Sequence, residues 1–316
     1  MKKKMINEVH LEGRLYQHNL EMRKSGPSSK NPGTQYISGT VDVATDEDIT
    51  NIVTVNYTYV TTKFGNGKDN PNFKFLSDII DGKYLTCMAN GSDVATKVKI
   101  STAIGVNDYY TDKEKEEDGS PKLITYKRNE GGFISAISSL TPDEKNARNY
   151  FYVDMVITGF TVKDADEEKG YPEKGILKGC IFDFRNACLP VEFSVLNTDA
   201  INYFESLEPS ASNPVFTKIK GTEVSEVVKK TITIAGAFGD EVREVNNNHK
   251  DWVITWAQTD PYEWDAEDTI TSAELKKAMT DRQTHLAEIK AKYEEYKKNQ
   301  GTTSAPASNA ADTFEF

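Results

Sequence analysis

The strongest constraint on this chain is an order of segments rich in β-branched and aromatic residues that occurs twice. EVHLEGRLY, residues 8–16, alternates: Val9, Leu11, Gly13 and Leu15 share one face and Glu8, His10, Glu12 and Arg14 the other, the period of a half-buried strand. YISGTVDVAT and NIVTVNYTYVTTKF follow, parted by Asp46, Glu47 and Asp48, and read as a hairpin. NFKFLSDII spaces Phe73, Leu76 and Ile80 for a short helix that stops at Asp81 and Gly82. KVKISTAIGV and GGFISAISSL add two strands on either side of a long charged segment, YYTDKEKEEDGSPKLITYKRNE, read as an exposed loop. Strand, hairpin, helix and two strands is the order of a small Greek-key barrel of the OB type.

From Tyr150 the order recurs. YFYVDMVITGFTVK is a strand, ILKGCIFDF and LPVEFSVLN a hairpin and DAINYFESL a short helix, after which TKIKGTEVSEV, KKTITIAGAF and DWVITWAQ supply further strands. The two halves share this order without residue-level identity. Thr271 and Glu274 then have capping-box spacing, and Leu275, Met279, Leu286, Ile289, Tyr293 and Tyr296 recur at helical steps through a charged segment of about seven turns. Arg282 breaks that seam, and the expected partner of the helix is the body of its own chain, with a helix–helix dimer as the alternative. GTTSAPASNAAD reads as a flexible linker. The expected architecture is mainly β: an N-terminal OB-like domain over 1–149, a second OB-like barrel over 150–262, an amphipathic helix over 263–299 and a disordered tail over 300–316.

Charge separates these parts. The 316 residues carry 38 Lys and Arg against 49 Asp and Glu, a net charge of −11. Residues 1–150 are balanced at 20 and 20, whereas 151–262 carry 11 and 18 and the remainder 7 and 11. A polyanion would be repelled by the last two regions, so the first is the better candidate to meet one. No window of about 18 apolar residues occurs and MKKKMINEVH lacks a signal-peptide apolar run, which predicts a cytoplasmic protein without membrane contact. Cys87, Cys180 and Cys188 form no C-x-x-C pair and are expected to pack as small apolar residues. Phosphate-cradling, H-E-x-x-H and G-x-S-x-G motifs are absent, and His10, His18, His249 and His285 are scattered, so neither a catalytic residue nor a cofactor is expected. Asp42, Asp46, Glu47 and Asp48 have the chemistry to hold Mg²⁺, but a solvated turn explains them with fewer assumptions, and no metal is expected.

Ile6, Asn7, Val9, Leu11, Gly13, Arg14 and Leu15, followed by Leu20, Glu21, Arg23, Ser25 and Gly26, form a segment that resembles the first strand of bacterial and phage single-stranded DNA-binding proteins. Asp312, Phe314, Glu315 and Phe316 resemble the acidic, Phe-ended tail tip of the same family, although this tip holds only two acids in its last five residues. The resemblance implies an OB fold, sequence-independent binding of single-stranded DNA, a place in replication, recombination or repair, and a tail that recruits partner replication or recombination proteins. A phage-encoded protein would act in the host cytoplasm. Members of that family occur in several oligomeric states, so self-association stays open.

Holding a single strand requires cations for phosphates and aromatic faces for bases. In the first domain Tyr57 and Tyr59 are placed on one face of a strand that leads to Lys63 and Phe64, followed by Lys74. Tyr109, Tyr110, Tyr126, Lys127 and Arg128 flank the long charged loop, and Arg14, Arg23, Lys24 and Lys30 lie around the first turn. Each also has an ordinary reading, as core for the strand tyrosines and as solvated surface for the cations. Phe73 reads as core, and Trp252 and Trp256, evenly spaced on a strand, read as the core of the second barrel. Asp164, Asp166, Glu167 and Glu168 would repel a strand there. The rival function, drawn from the acidic balance, is a non-catalytic structural or adaptor protein whose barrels contact other proteins.

Overall fold

The computed structural model describes residues 5–300 apart from 145, 166–172, 235–240 and 267–268, with the backbone alone of 226–234, 241–249 and 300. Six strands and two helices make the first half: β1 (Asn7–His18), β2 (Glu21–Lys24), β3 (Gln35–Ala44), β4 (Ile52–Thr61), α1 (Pro71–Ile80), α2 (Cys87–Asn90), β5 (Lys97–Lys115) and β6 (Pro121–Ala136). β7 (Asn149–Lys163), β8 (Lys174–Phe182), β9 (Cys188–Val195), α3 (Thr198–Ser206), β10 (Val215–Ile234) and β11 (Glu241–Ala257) make the second, and α4 (Ser272–Gln300) follows.

The strands run in the order β10-β11-β9-β8-β7-β1-β5-β6-β4-β3-β2, and the further pairings β1–β3 and β7–β10 close two barrels. In the first, β4 and β6 meet in parallel while the other contacts are antiparallel; in the second, β9 and β11 do the same. Both are Greek-key barrels of the OB type, with a helix after β4 in the first and after β9 in the second; the short edge strand β2 set aside, each helix lies between third and fourth strands, so the repeated order of elements is a repeated topology. Val9, Leu11, Val41, Val53 and Ile100 fill the first barrel, and α1 closes it with Leu76 and Ile79. Phe151, Phe193 and Trp252 fill the second, with Ile201 and Phe204 of α3 below them. Each helix starts at an Asn cap: Asn70 accepts from the Asn72 amide ahead of Pro71, and Asn197 from the Ala200 amide. Gly13 is required by closure, because β1 passes between β5 and β3 there and a Cβ would stand 2.1 Å from the Ala44 carbonyl oxygen.

Two segments differ from the sequence reading. The charged stretch after Val106 is not a loop but the body of the β5–β6 hairpin, paired from Asn107↔Tyr126 to Lys115↔Pro121. Its strands carry Tyr, Thr and Ile residues, and Asp108 and Glu114 accept from Thr125 and Lys122 across the pair. Likewise TKIKGTEVSEV and the KKTITI that follows are parts of one strand, β10, so the described residues give the second barrel two strands after its helix and not three.

The barrels join edge to edge. β1 pairs antiparallel with β7 from Asn7↔Val153 to Leu11↔Asn149. Asn7 stitches the seam, bonding both the amide and carbonyl of Ile104 in β5 and donating to the Phe182 carbonyl of β8. Each long hairpin also reaches the other barrel. Lys127 of β6 donates to the Glu192 carbonyl of β9, and Lys250 of β11 donates to the Thr54 hydroxyl of β4 at 3.3 Å. Between the arms lies a buried polar seam. The Glu223 carboxylate accepts from Asn129 at 2.7 Å and its carbonyl from Asn149 and Asn51, while Asn51 in turn accepts from the Ser225 amide. Burial pushes the Glu223 carboxyl up to about 7, against the pull of the Asn129 bond, Lys250 and Lys127.

α4 opens on the capping box expected from the sequence, with Thr271 and Glu274 exchanging bonds. It lies on its own chain, and the seam-breaking Arg282 is the reason it holds: the guanidinium grips Asp108 of β5 through two bonds of 2.6 and 2.5 Å, with 10% and 4% of the two side chains exposed. Tyr293 donates to Asp112 at 2.7 Å and its ring meets Tyr110, and Lys297 also pairs with Asp112. Cys180 and Cys188 are buried and Cys87 half-buried, all three as free thiols.

Candidate nucleic-acid interface

In an OB barrel the outer face of the second and third strands, with the loops beside it, is the surface that takes oligonucleotides. Here those strands are β3 and β4. Tyr59 stands outward on β4 with 45% exposure, tilted against Tyr36 of β3 at 4.5 Å between ring centres, its hydroxyl 3.0 Å from that of Ser25. Lys24 on β2, opposite Gln35 and so on the other face of the sheet from Tyr36, and Lys30 in the following turn are exposed and form no ion pair among the described residues. Further along, the exposed Phe64 meets Phe133 of β6, which is 58% exposed, edge to face at 6.4 Å, and Lys63 is exposed next to it. Phe133 has no place in the sequence reading, and its signal there, one aromatic residue in an otherwise alternating strand, reads as core.

Tyr57 is the first correction. It is 2% exposed and points into the barrel, its hydroxyl pKa raised by burial, so its ring faces no solvent. The assumption that it shares a face with Tyr59 fails at a bulge: Ile37 pairs with Val60 and Gly39 with Tyr57, leaving Thr58 and Tyr59 opposite one residue. The same irregularity sits in the second barrel. Lys220 pairs with Trp256 and Gly221 with Ile254, so Thr255 is the extra residue, Trp252 is buried as expected and Trp256 is turned out with 48% exposure.

Several expected cations are already engaged. Arg14 bonds Glu47 at 2.9 Å, and the buried Arg148 holds the other oxygen of that carboxylate at 2.6 Å; together they keep the Glu47 carboxyl below its usual range, Arg148 the more strongly. Arg23 pairs with Glu21, Arg128 with Glu130 and Lys74 with Asp78. Lys127 leaves the first-barrel surface altogether, its ammonium 4.7 Å from the Phe193 ring centre and 5.8 Å from that of Trp252, and burial lowers it to about 8 despite Asp251, Glu192 and Glu223 nearby. Tyr110 faces α4, whereas Tyr109 on the opposite side of β5 meets the exposed Tyr126 at 6.4 Å. Of the expected set, Tyr59 therefore stands with Tyr36 on the outer face of β3 and β4, Lys63 and Phe64 are exposed beyond the end of β4 beside Phe133, Lys24 and Lys30 are exposed on β2 and its turn, and Tyr109 and Tyr126 stand apart on the hairpin. Asp312, Phe314, Glu315 and Phe316 lie outside the described residues, as do Asp166, Glu167 and Glu168.

The turn acids have local partners. Asp46 accepts from the amides of Thr50 and Asn51, and Asp42 from Gln17. Among the described residues no three His, Cys, Asp or Glu side chains group so as to hold a metal ion, and no helix is long and apolar enough to cross a membrane.

The family model YorF matches residues 5–292, and the chain belongs to that family. No curated protein matches it. Among solved structures, a crystal structure of a deletion mutant of the single-stranded DNA binding protein from Thermus aquaticus is similar at 11% identity and a TM-score of 0.46, over 84% of this chain and 99% of that one.

Proposed function

We propose that this YorF-family chain is a non-catalytic protein that binds single-stranded DNA without sequence preference, through the outer face of β3 and β4 in its first barrel. The observation that carries the reading is the Tyr36–Tyr59 pair, half-buried and exposed respectively, on the face where an OB barrel takes oligonucleotides, while the exposed Lys24 and Lys30, without ion pairs among the described residues, are the cations offered from β2 and the turn after it. The pair offers a π-face to any base, and stacking there is worth about 1–3 kcal/mol per base. The lysines contact phosphates, so affinity falls as salt rises. Lys63, Phe64 and Phe133 extend the same surface. Residues 1–149 and 150–262 act in this reading as two OB-like units, with the first as the DNA-holding one. The role is in replication, recombination or repair in the host cytoplasm of a phage. Asp312, Phe314, Glu315 and Phe316 form the tip that recruits partner enzymes.

Fluorescence anisotropy of a labelled oligo-dT of about 30 nucleotides, titrated at two salt concentrations against a duplex of equal length, tests this reading. Salt-sensitive binding of the single strand alone is the expected result. No binding, either by the full chain or by a chain ending at Asn299, overturns it and favours the adaptor role that the net charge of −11 suggests.

A further inference from the structure

The outward side chains of the six central strands fall into a line that crosses the junction of the barrels. Strand pairing sets Phe133 of β6 opposite Ser101 of β5, Ser101 opposite His10 of β1, and His10 opposite Tyr150 of β7. One step along β7, on the same face, Tyr152 is opposite Lys220 of β10, which is opposite Trp256 of β11. Strands lie about 4.8 Å apart, so Phe133 to Trp256 spans five intervals and about 24 Å along the sheet.

Most of this line is in contact. His10 stacks on Tyr150 at 5.0 Å, Tyr150 meets Tyr152 edge to face at 5.7 Å, and the Lys220 ammonium lies over both rings at 5.1 and 5.5 Å. At the far end Asn146, Tyr152, Lys220, Thr255 and Trp256 line an open cleft of about 410 Å³. Trp256 is nearly half exposed there only because the β11 bulge turns it out of the barrel core. Acidic groups also face the band from β1. Glu8 lies within 3.5 Å of His10, and Glu12 is engaged by the amide and hydroxyl of Thr141.

We propose that this band is a second contact for single-stranded DNA, taking bases on Tyr152 and Trp256 in the cleft and a phosphate on Lys220. The proposal rests on the binding activity assigned above and adds a site on different strands from the β3–β4 face. The surface alternates flat aromatic faces with a lysine and small polar residues, the pattern that a base-and-phosphate polymer matches. A purely apolar partner face would leave Lys220 and Asn146 unsatisfied. Because β1 and β7 are hydrogen-bonded neighbours, the band is continuous across the barrels and would let one strand engage both.

The test uses the full chain and an oligo-dT of about 30 nucleotides carrying photoreactive 5-iodouracil. Cross-linked peptides should include residues at Tyr152 or Trp256 as well as at Tyr59. Trp256→Ala and Tyr152→Ala should each weaken binding about 5- to 100-fold, as loss of one stacked base requires, and Trp256→Phe should restore most of it. Adducts confined to the first barrel, with unchanged affinity in Trp256→Ala, overturn the second contact and leave the binding activity standing. Failure of the unmodified chain to bind the oligonucleotide overturns both. A molecular mass by light scattering that halves in Trp256→Ala assigns the band to contact between copies and overturns the proposal.

Discussion

The two barrels share a topology and differ at the corresponding outer face. On β3 and β4 of the first, that face carries the Tyr36–Tyr59 pair. On β8 and β9 of the second, the corresponding strands pair Lys178 with Glu192 both in register and as an ion pair at 3.3 Å, and Ser194 of β9 bonds Asp251. A closed barrel needs only its inward residues, alternating along each strand, so the outward set is free to diverge once the fold is secured. The second barrel uses that freedom to pair Lys178 with Glu192 on this face. The long hairpins differ as well: α4 clamps the β5–β6 arm through Arg282, and among the described residues no helix does so for the β10–β11 arm.

Removing the clamp is the most severe way to erase that difference. Arg282→Ala leaves Asp108 buried without its partner, and stability should fall by about 3–5 kcal/mol in urea unfolding followed by circular dichroism. The seam between the arms should show in pH dependence. Glu223 has a folded-state pKa of about 7 against 4.5 for the free group, so the folded form favours the proton. Its contribution to stability is therefore complete below pH 4.5, declines as pH rises and is lost above 7. Glu223→Gln keeps an acceptor for Asn129, so its unfolding midpoint should lose that decline and exceed the native one at pH 8.

Affinity contrasts the two faces directly. Tyr59→Ala should weaken oligo-dT binding about 5- to 100-fold by anisotropy, while Lys178→Ala, on the corresponding face of the second barrel, should change it less than about twofold. Equal losses from both would mean that the barrels are functionally alike. The mildest effect is expected from Lys24→Gln with Lys30→Gln. If each cation holds one phosphate, the slope of log affinity against log salt should fall by about 1.4 in magnitude.

The order of strands was readable because segments rich in β-branched and aromatic residues mark them, α1 because its apolar residues fall at helical spacing before Asp81 and Gly82, and α4 because it has an apolar seam behind the Thr271–Glu274 capping box. What escaped was decided by partner strands. Tyr57 with Tyr59, and Trp252 with Trp256, have the even spacing of one face, yet a bulge lies between the members of each pair and turns the second outward. Nothing in the bulged strand alone marks the extra residue, because register depends on how the neighbour is held. Lys127 and Arg14 read as surface cations for a related reason, since Phe193 and Glu47, which claim them, are distant in sequence. Asp108 and Arg282 are 174 positions apart, and as separate residues they look like a loop acid and a flaw in a helix seam.

The β1–β7 pairing has a consequence for behaviour in dilute solution. Two barrels on separate chains joined by one strand edge would part as concentration fell, because nothing would hold their local concentration up. A single covalent chain keeps each edge in the presence of the other at an effective concentration of the order of millimolar, whatever the number of molecules in the cell. The junction, and any surface that exists only across it, therefore persists at a single copy.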